Sequence, residues 1–464
     1  MKTSYRNLIE QTFDFPQEGF NVIDNELYFH DIPLTQIIKQ YGTPLRLAYL
    51  PKIGQQIQKA RKLFNVAMAK VDYKGNYTYC YCTKSSHFSF VLEEVLKHEV
   101  HLETSSAFDI FIIRELFEQG ELKQDKFIVC NGFKTEQYKE NIVELANDGF
   151  KNVIPVLDNK EELDFYKEHI TNKSCKLGIR IASEEEPSFE FYTSRLGIRY
   201  KDIKDFYVNQ IKTDKRFEFK MLHFFINKGI KDSIYYWSEL NKCLGVYVEL
   251  KKICPTLDTL NIGGGLPFKS SMNFEFDYEY IIEEIIRQIK QFCEQHGVDE
   301  PNIFTEFGSF TVAESGAHIF SVLEQKQQND TELWNMIDGS FITSLPDTWG
   351  ISQRFILLAI NHWDKEYQRV NLGGLTCDSL DYYNSEAHVN TVFLPKHTKE
   401  DPLYLGLFHT GAYQESLSGY GGIKHCLIPS PKFVLIDKDD NGEFYTRLFA
   451  KEQSYKSMLK VLGY

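Results

Sequence analysis

The sequence predicts an α/β fold: a TIM-type (βα)8 barrel joined to a C-terminal antiparallel β domain. Two observations predict it. Eight short apolar runs alternate with amphipathic stretches between residues 77 and 307, and that rhythm stops near residue 310. Strand-helix units in series make a parallel sheet, and eight is the number that closes into a barrel. At 464 residues the chain is too long for one simple core, since a domain takes roughly 100 to 200 residues. The change of rhythm places an N-terminal segment at 1–45, the barrel at 46–312 and the β domain at 313–464.

The first run, YTYCYCT (77 to 83), alternates cleanly. Tyr77, Tyr79 and Tyr81 share one face, while Thr78, Cys80, Cys82 and Lys84 share the other, because strand side chains alternate with a period of two. The remaining runs are VHLET (100 to 104), KFIVC (126 to 130), NVIPV (152 to 156), KLGIRIA (176 to 182), EFKMLHFF (218 to 225), LDTLNI (257 to 262) and NIFTEF (302 to 307). Between them, SFVLEEVLKHEV, TEQYKENIVELANDG, KEELDFYKEHI and YEYIIEEIIRQIKQFCEQHG repeat apolar residues at three and four positions, the spacing of a helix face. From His318 onward HIFSVLEQK, LWNMIDGSFIT, RFILLAI, HVNTVFLP, LYLGLFHT and KFVLIDKD are strand-like with few helices between them.

Composition narrows the function classes. Hydrophobic residues at 42% and aromatics at 14%, without proline-rich or glycine-serine tracts, support a packed interior. A net charge of −13 argues against nucleic acid or an anionic membrane as the main partner, and it suits a small cationic substrate. The segment MKTSYRNLIEQTFDF lacks an apolar core of signal-peptide length, so a soluble cytoplasmic protein is expected. Nine cysteines form no regular framework, and Cys80 with Cys82 has no second pair at zinc spacing, so no metal site is expected.

In a (βα)8 barrel the working residues lie where strands pass into the following loops. Those junctions hold Lys84, Ser106, Asn131 with Lys134, Asp158, Arg180, His223 with Phe225, Gly263 to Gly265, and Glu306. An isolated GGG is most often a tight turn, and a lysine ending a strand is ordinarily solvated. Together with a carboxylate on the same rim they are the parts that pyridoxal phosphate needs. The amine serves a Schiff base, the glycine backbone with the next helix start cradles a phosphate, and the acid faces the ring nitrogen.

The motifs resemble those of the fold-type III pyridoxal-phosphate decarboxylases, which include ornithine, diaminopimelate and biosynthetic arginine decarboxylases. In the family's order come YCTKSSHFSFVLEEV, LETSSAFDI, CNGFK, LNIGGGLP and TEFG, followed by TCDSLD and HTGAY in the β domain. SLPDTWGISQRF (344 to 355) and the form CNGFK are most similar to biosynthetic arginine decarboxylase, here in a shortened version without the family's helical insertion. The resemblance implies an alanine-racemase-like barrel and a β domain that takes in the N-terminal segment. It also implies decarboxylation of a basic amino acid, arginine to agmatine, for polyamine synthesis.

By the same resemblance Lys84 carries the cofactor, Glu306 meets the pyridine nitrogen, and Ser106, Arg180, His223, Gly263, Gly264, Gly265 and Tyr413 contact the cofactor. Cys377 is the acid for the α-carbon. Asp378 and Asp381 are the substrate-side carboxylates, with Cys377 and Asp378 donated in trans by a second subunit and Arg195 pairing with Asp381 across that interface. Three departures stand out. The family's HFHLGS is HFFINK here, so Phe225 replaces the stacking histidine and Lys228 the phosphate-binding serine, and Ser309 replaces the arginine after TEFG. The expectation is that the phosphate's cation has moved from 309 to 228. Ornithine, lysine or diaminopimelate decarboxylase, a racemase or other lyase, and a catalytically dead homologue are the competing readings. Magnesium, associated with the arginine enzymes, finds no carboxylate cluster that demands it.

Overall fold

The computed structural model describes residues 4–171, 174–184, 191–383 and 392–464. These form two compact units. One comprises Gly54–Pro267 and Phe276–Thr311, and the other Met1–Ile53, Phe268–Glu275 and Val312–Tyr464.

The first unit is a closed parallel barrel of eight strands. They are β1 (Tyr77–Cys82), β2 (His101–Thr104), β3 (Ile128–Cys130), β4 (Val153–Leu157), β5 (Cys175–Arg180), β6 (Phe217–His223), β7 (Thr259–Asn261) and β8 (Asn302–Phe307). Each pairs with the next in sequence, and β8 closes on β1 with Glu306 opposite Cys80. All eight expected runs therefore become barrel strands. The small face of β1 points inward. Cys80 joins Val129, Ile154, Val156, Met221 and Phe304 in the barrel's central cluster. The tyrosine face turns to the helical layer: the Tyr77 ring stacks on Phe64 of the Pro51–Lys70 helix at 4.2 Å, and Tyr79 shares a hydrogen bond with Thr311.

Helices between the strands carry the expected spacing. Tyr278–His296 buries Ile281, Ile282, Ile285, Ile286, Ile289 and Cys293 along one stripe and stops at Gly297, whose φ of +65° lets the chain leave the helix. Ser106 caps Ala107–Glu118 in a reciprocal capping box with Asp109.

The second unit is built on a ten-stranded sheet. Its central strand, Gly316–Gln327, pairs antiparallel with Leu333–Ile337, Leu45–Tyr49 and Tyr404–Phe408. The expectation of a purely antiparallel domain needs correction: Leu45–Tyr49 runs parallel to Lys432–Lys438, and Leu333–Ile337 parallel to Tyr367–Gly373. Parallel neighbours need a long crossover rather than a hairpin, and nearly four hundred residues of chain separate the first of these pairs. The N-terminal segment joins this unit, as the resemblance implied, but further than residue 45, because Leu45–Tyr49 is a sheet strand and the compact unit runs to Ile53. Phe268–Glu275 returns to the same unit from within the expected barrel range, an excursion the rhythm of the sequence hides. The FIT of LWNMIDGSFIT is a helical turn, Phe341–Ser344, started by the Ser340 cap. Part of HVNTVFLP lies outside the described residues, and the rest is the strand Val392–Pro395. Among the described residues no helix is long and apolar enough to cross a membrane.

Candidate active site

β1 lies between β8 and β2, so the amine that follows it is flanked by acids from both neighbours. Register sets Glu103 opposite Cys82 and Glu306 opposite Cys80. Beyond β1 the chain makes a tight turn, Thr83–Ser85, pinned by the buried Thr83 hydroxyl donating to the Glu103 carbonyl at 3.1 Å. Lys84 Nζ donates to Glu103 Oε2 at 2.6 Å and to Cys82 Sγ at 3.3 Å. The sequence placed this amine on the face of the small residues, and the structure gives it a buried carboxylate partner and leaves its own side chain 41% exposed. Cys82 does more than pack, since its sulfur touches the amine and donates to the Glu306 carbonyl at 3.1 Å.

The two carboxylates share one organising amide. Asn131 Nδ2 donates to Glu103 Oε1 at 3.2 Å and to Glu306 Oε1 at 2.7 Å, while Asn261 Nδ2 reaches Glu306 Oε1 at 2.5 Å. Burial pushes the Glu103 carboxyl above its usual range; Lys84 opposes that shift and the charge of Glu306 adds to it. His223 Nε2 stands 3.9 Å from Glu306 Oε2. Burial, reinforced by the Arg180 guanidinium, lowers its pKa to about 3, so the imidazole is neutral at physiological pH. Arg180 itself lies 5.9 Å from the centre of the Phe225 ring.

The glycine run closes the same rim. Gly263 and Gly265 take φ values of +72° and +87°, and a Cβ on Gly264 would lie 2.4 Å from the Glu306 carbonyl oxygen. Only residues without side chains allow this approach. Asn261 Oδ1 accepts from Gly263 N, and Glu306 N donates to the Gly263 carbonyl, which locks the turn to β8. A Cβ on Gly263 would stand 3.2 Å from the Phe225 ring, and one on Gly265 would stand 2.5 Å from Gly229 Cα. Lys228, exposed and one residue before Gly229, is thereby placed beside the glycine turn. The expected helix dipole is absent from the cradle, because the next helix begins only at Tyr278, after residues 266 to 277.

Other rim residues serve the scaffold. Lys134 is buried, 3.1 Å from Glu162 Oε2, and donates to the Val156 carbonyl. Asp158 accepts from Gly197 N at 2.8 Å. Ser106 Oγ accepts from Asp109 N at 3.3 Å as a helix cap, which leaves its O–H as a donor. Ser309 opens the short helical turn Ser309–Val312, and Arg195 is exposed.

In the sheet unit, Cys377 and Asp378 are exposed, and Tyr413 sits half-buried at φ +66°, a conformation a bulky side chain rarely adopts. Asp381 is buried against its own loop. Its Oδ1 accepts from Phe341 N at 2.8 Å and Ile342 N at 3.4 Å, and its Oδ2 from Thr376 N at 2.9 Å and Thr376 Oγ1 at 2.7 Å. A buried carboxylate whose two oxygens are committed in this way holds its own loop. Asn131 was expected on the rim without an assigned role, and Glu103 and Asn261 were not among the site residues expected from the sequence. Their only signal there was position, one at the end of β2, one just past β3 and one at the end of β7.

A sequence profile described as "Pyridoxal-dependent decarboxylase, pyridoxal binding domain" matches residues 52–313, more than half of the chain. The chain belongs to the pyridoxal-dependent decarboxylases. It is 23% identical to the biosynthetic arginine decarboxylase of Prochlorococcus marinus (strain MIT 9215) over 548 aligned positions, covering 92% of this chain and 83% of that protein. Its fold is similar to that of the biosynthetic arginine decarboxylase SpeA from Campylobacter jejuni, with a TM-score of 0.82, 21% identity and coverage of 97% and 89% of the two chains. It is also similar to that of the diaminopimelate decarboxylase of M. jannaschii, with a TM-score of 0.78, 18% identity and coverage of 96% and 97%. This decarboxylase is thus a carboxy-lyase that uses pyridoxal phosphate. The rim fits that group. It offers an amine, an anchored carboxylate, and a glycine cradle in which a Cβ would collide with backbone. Asn131 Oδ1 is, in addition, a buried acceptor with no hydrogen-bond partner among the described residues.

Proposed function

We propose that the protein decarboxylates arginine to agmatine and CO2, feeding polyamine synthesis. The observation that carries this reading is Glu306, buried at the end of β8 and held by Asn131 and Asn261. It stands in a chain whose similarity to a biosynthetic arginine decarboxylase extends over 92% of its length. A carboxylate fixed in this way holds a proton on a ring nitrogen, which favours decarboxylation over racemisation.

When bound, pyridoxal phosphate supplies the sink for the electron pair left behind as CO2 departs. Lys84 would hold its aldehyde carbon, with Glu103 orienting the amine. Glu306 would keep the proton on the ring nitrogen, and the neutral His223 beside it adds no competing positive charge. Phe225 would pack against the ring. The backbone N–H groups of Gly263 to Gly265, the Ser106 hydroxyl, Arg180, Lys228 and Tyr413 would receive the phosphate. Cys377 would protonate the α-carbon and Asp378 accept the guanidinium, both donated by the second subunit of a cytoplasmic homodimer.

CO2 release measured in parallel from arginine, ornithine, lysine and diaminopimelate tests the substrate. Arginine should dominate, and a clear preference for ornithine would overturn the assignment while leaving the chemistry intact. The Lys84→Ala variant should lose both turnover and the visible cofactor absorbance. Colourless wild-type protein after reconstitution would instead favour a binding homologue without activity.

A further inference from the structure

Seven of the nine cysteines are buried, and the two exposed ones, Cys377 and Cys426, lie side by side. Their sulfurs are 3.4 Å apart, although 48 residues separate them in the chain, and His425 Nε2 lies 3.9 Å from Cys377 Sγ. All three donor atoms fall within 4.8 Å of one another. Cys426 and Leu427 take φ values of +53° and +54°, left-handed conformations that non-glycine residues adopt at a cost. Nothing in the proposed reaction uses Cys426 or His425.

Both loops that present these donors are anchored from behind. Thr376, next to Cys377, is gripped by the buried Asp381, and Lys424, next to His425, is buried with its amine donating to the Thr343 carbonyl at 3.0 Å. Ligands held on a fixed second layer lose little freedom when an ion arrives.

We propose that Cys377, His425 and Cys426 form a binding site for a thiophilic divalent ion of the Zn2+ class. At Zn–S of about 2.3 Å and Zn–N of about 2.0 Å, tetrahedral ligation sets the two sulfurs about 3.8 Å apart and each sulfur about 3.5 Å from the nitrogen. The two separations from Cys377 Sγ meet these values after shifts of a few tenths of an ångström, and the third, between Cys426 Sγ and His425 Nε2, lies within 4.8 Å. Two thiolates and an imidazole select zinc over magnesium or calcium, and their exposure leaves a fourth position open to water. Binding releases the two thiol protons as the Zn–S bonds form. A disulfide is the competing use of the pair. It requires the sulfurs to close to about 2.05 Å and gives the imidazole no part.

Occupancy takes the Cys377 thiolate, so the ion would act as a reversible inhibitor. That consequence rests on Cys377 being the acid for the α-carbon, whereas the metal site does not.

The test uses reduced, cofactor-loaded, full-length protein titrated with Co2+. One ion per chain should bind with the visible bands of tetrahedral cobalt, at wavelengths longer than the cofactor's absorbance. Cys426→Ser and His425→Ala should each abolish those bands. Zn2+ should inhibit the wild type at stoichiometric concentration and each variant only at concentrations at least about tenfold higher, relative to its own metal-free rate. An octahedral spectrum in the wild type, or a tetrahedral one unchanged by either variant, overturns the site. A Cys377–Cys426 disulfide formed under peroxide in protein that binds no cobalt overturns it in favour of a redox pair. Tetrahedral cobalt without inhibition supports the site and removes Cys377 from the reaction.

Discussion

The two units solve the problem of buried charge with opposite signs. On the barrel rim two carboxylates, Glu103 and Glu306, are 1% and 5% exposed and face a single amine, Lys84. In the sheet unit two cations, Arg46 and Lys424, are 1% and 6% exposed and share one carboxylate, Glu415, which pairs with Arg46. His318, 3.6 Å from Glu415, adds no charge, because burial and Arg46 hold its pKa well below the ordinary value. Each cluster carries one unmatched charge, and an unmatched buried charge is costly. The sheet unit relieves its excess internally: burial, with help from Arg46, pushes the Lys424 amine down to about 7, so the group can lose its proton. On the barrel rim burial and the charge of Glu306 push the Glu103 carboxyl up, and in the proposed function a protonated ring nitrogen would neutralise the charge that remains. The sheet cluster balances itself, whereas the proposed binding cluster would be completed by its ligand.

The largest expected effect strikes the barrel side of this contrast. Glu306→Gln should lower kcat by about 10²–10³-fold, with the cofactor still bound and visible, because it removes an oriented charge and keeps the shape. An unchanged kcat would mean that the excess negative charge serves no ligand.

Next comes the carboxylate of the sheet unit whose partners among the described residues are backbone N–H groups and a threonine. Asp381→Ala should cost about 3 kcal/mol in denaturant unfolding, since it strands the Phe341 and Thr376 N–H groups. A loss of substrate affinity without loss of stability would favour the substrate-side role expected from sequence.

The neutral bases give pH dependence with a definite sign. Lys424 titrates at about 7 when folded and near 10.5 when unfolded, so between these values the unfolded chain binds more protons and stability rises with pH. The slope contributed is at most about 1.4 kcal/mol per pH unit. It should vanish in Lys424→Met, read as the difference between wild-type and variant urea unfolding at pH 7.5 and 9.5. His223 behaves alike in the window from about 3 to 6.5: its contribution to stability is present above 6.5 and is lost as the pH falls through that window.

The smallest effect separates scaffold from site. Ser106→Ala should cost about 1 kcal/mol as a lost helix cap. If its O–H also receives phosphate, cofactor affinity falls as well, and Ser106→Asp, which keeps a capping oxygen, should recover stability without recovering that affinity.

Much of the site was legible in the sequence because its signals are local. The alternation of YTYCYCT sorted the side chains of β1 into two faces, and the rhythm of eight runs put Lys84, the glycine turn and Glu306 at the ends of barrel strands, where loops begin. A period of two and a turn of glycines need only near neighbours along the chain. What the tertiary structure decided is contact between distant segments. Closure of β8 on β1 set two carboxylates around one amine, joined by Asn131 and Asn261, and gave Lys84 a buried partner that nothing near it in sequence announces. Folding of the sheet unit turned Asp381 inward to hold its loop and brought Cys426 against Cys377. Register and burial belong to the assembled sheet, so a single strand cannot encode them.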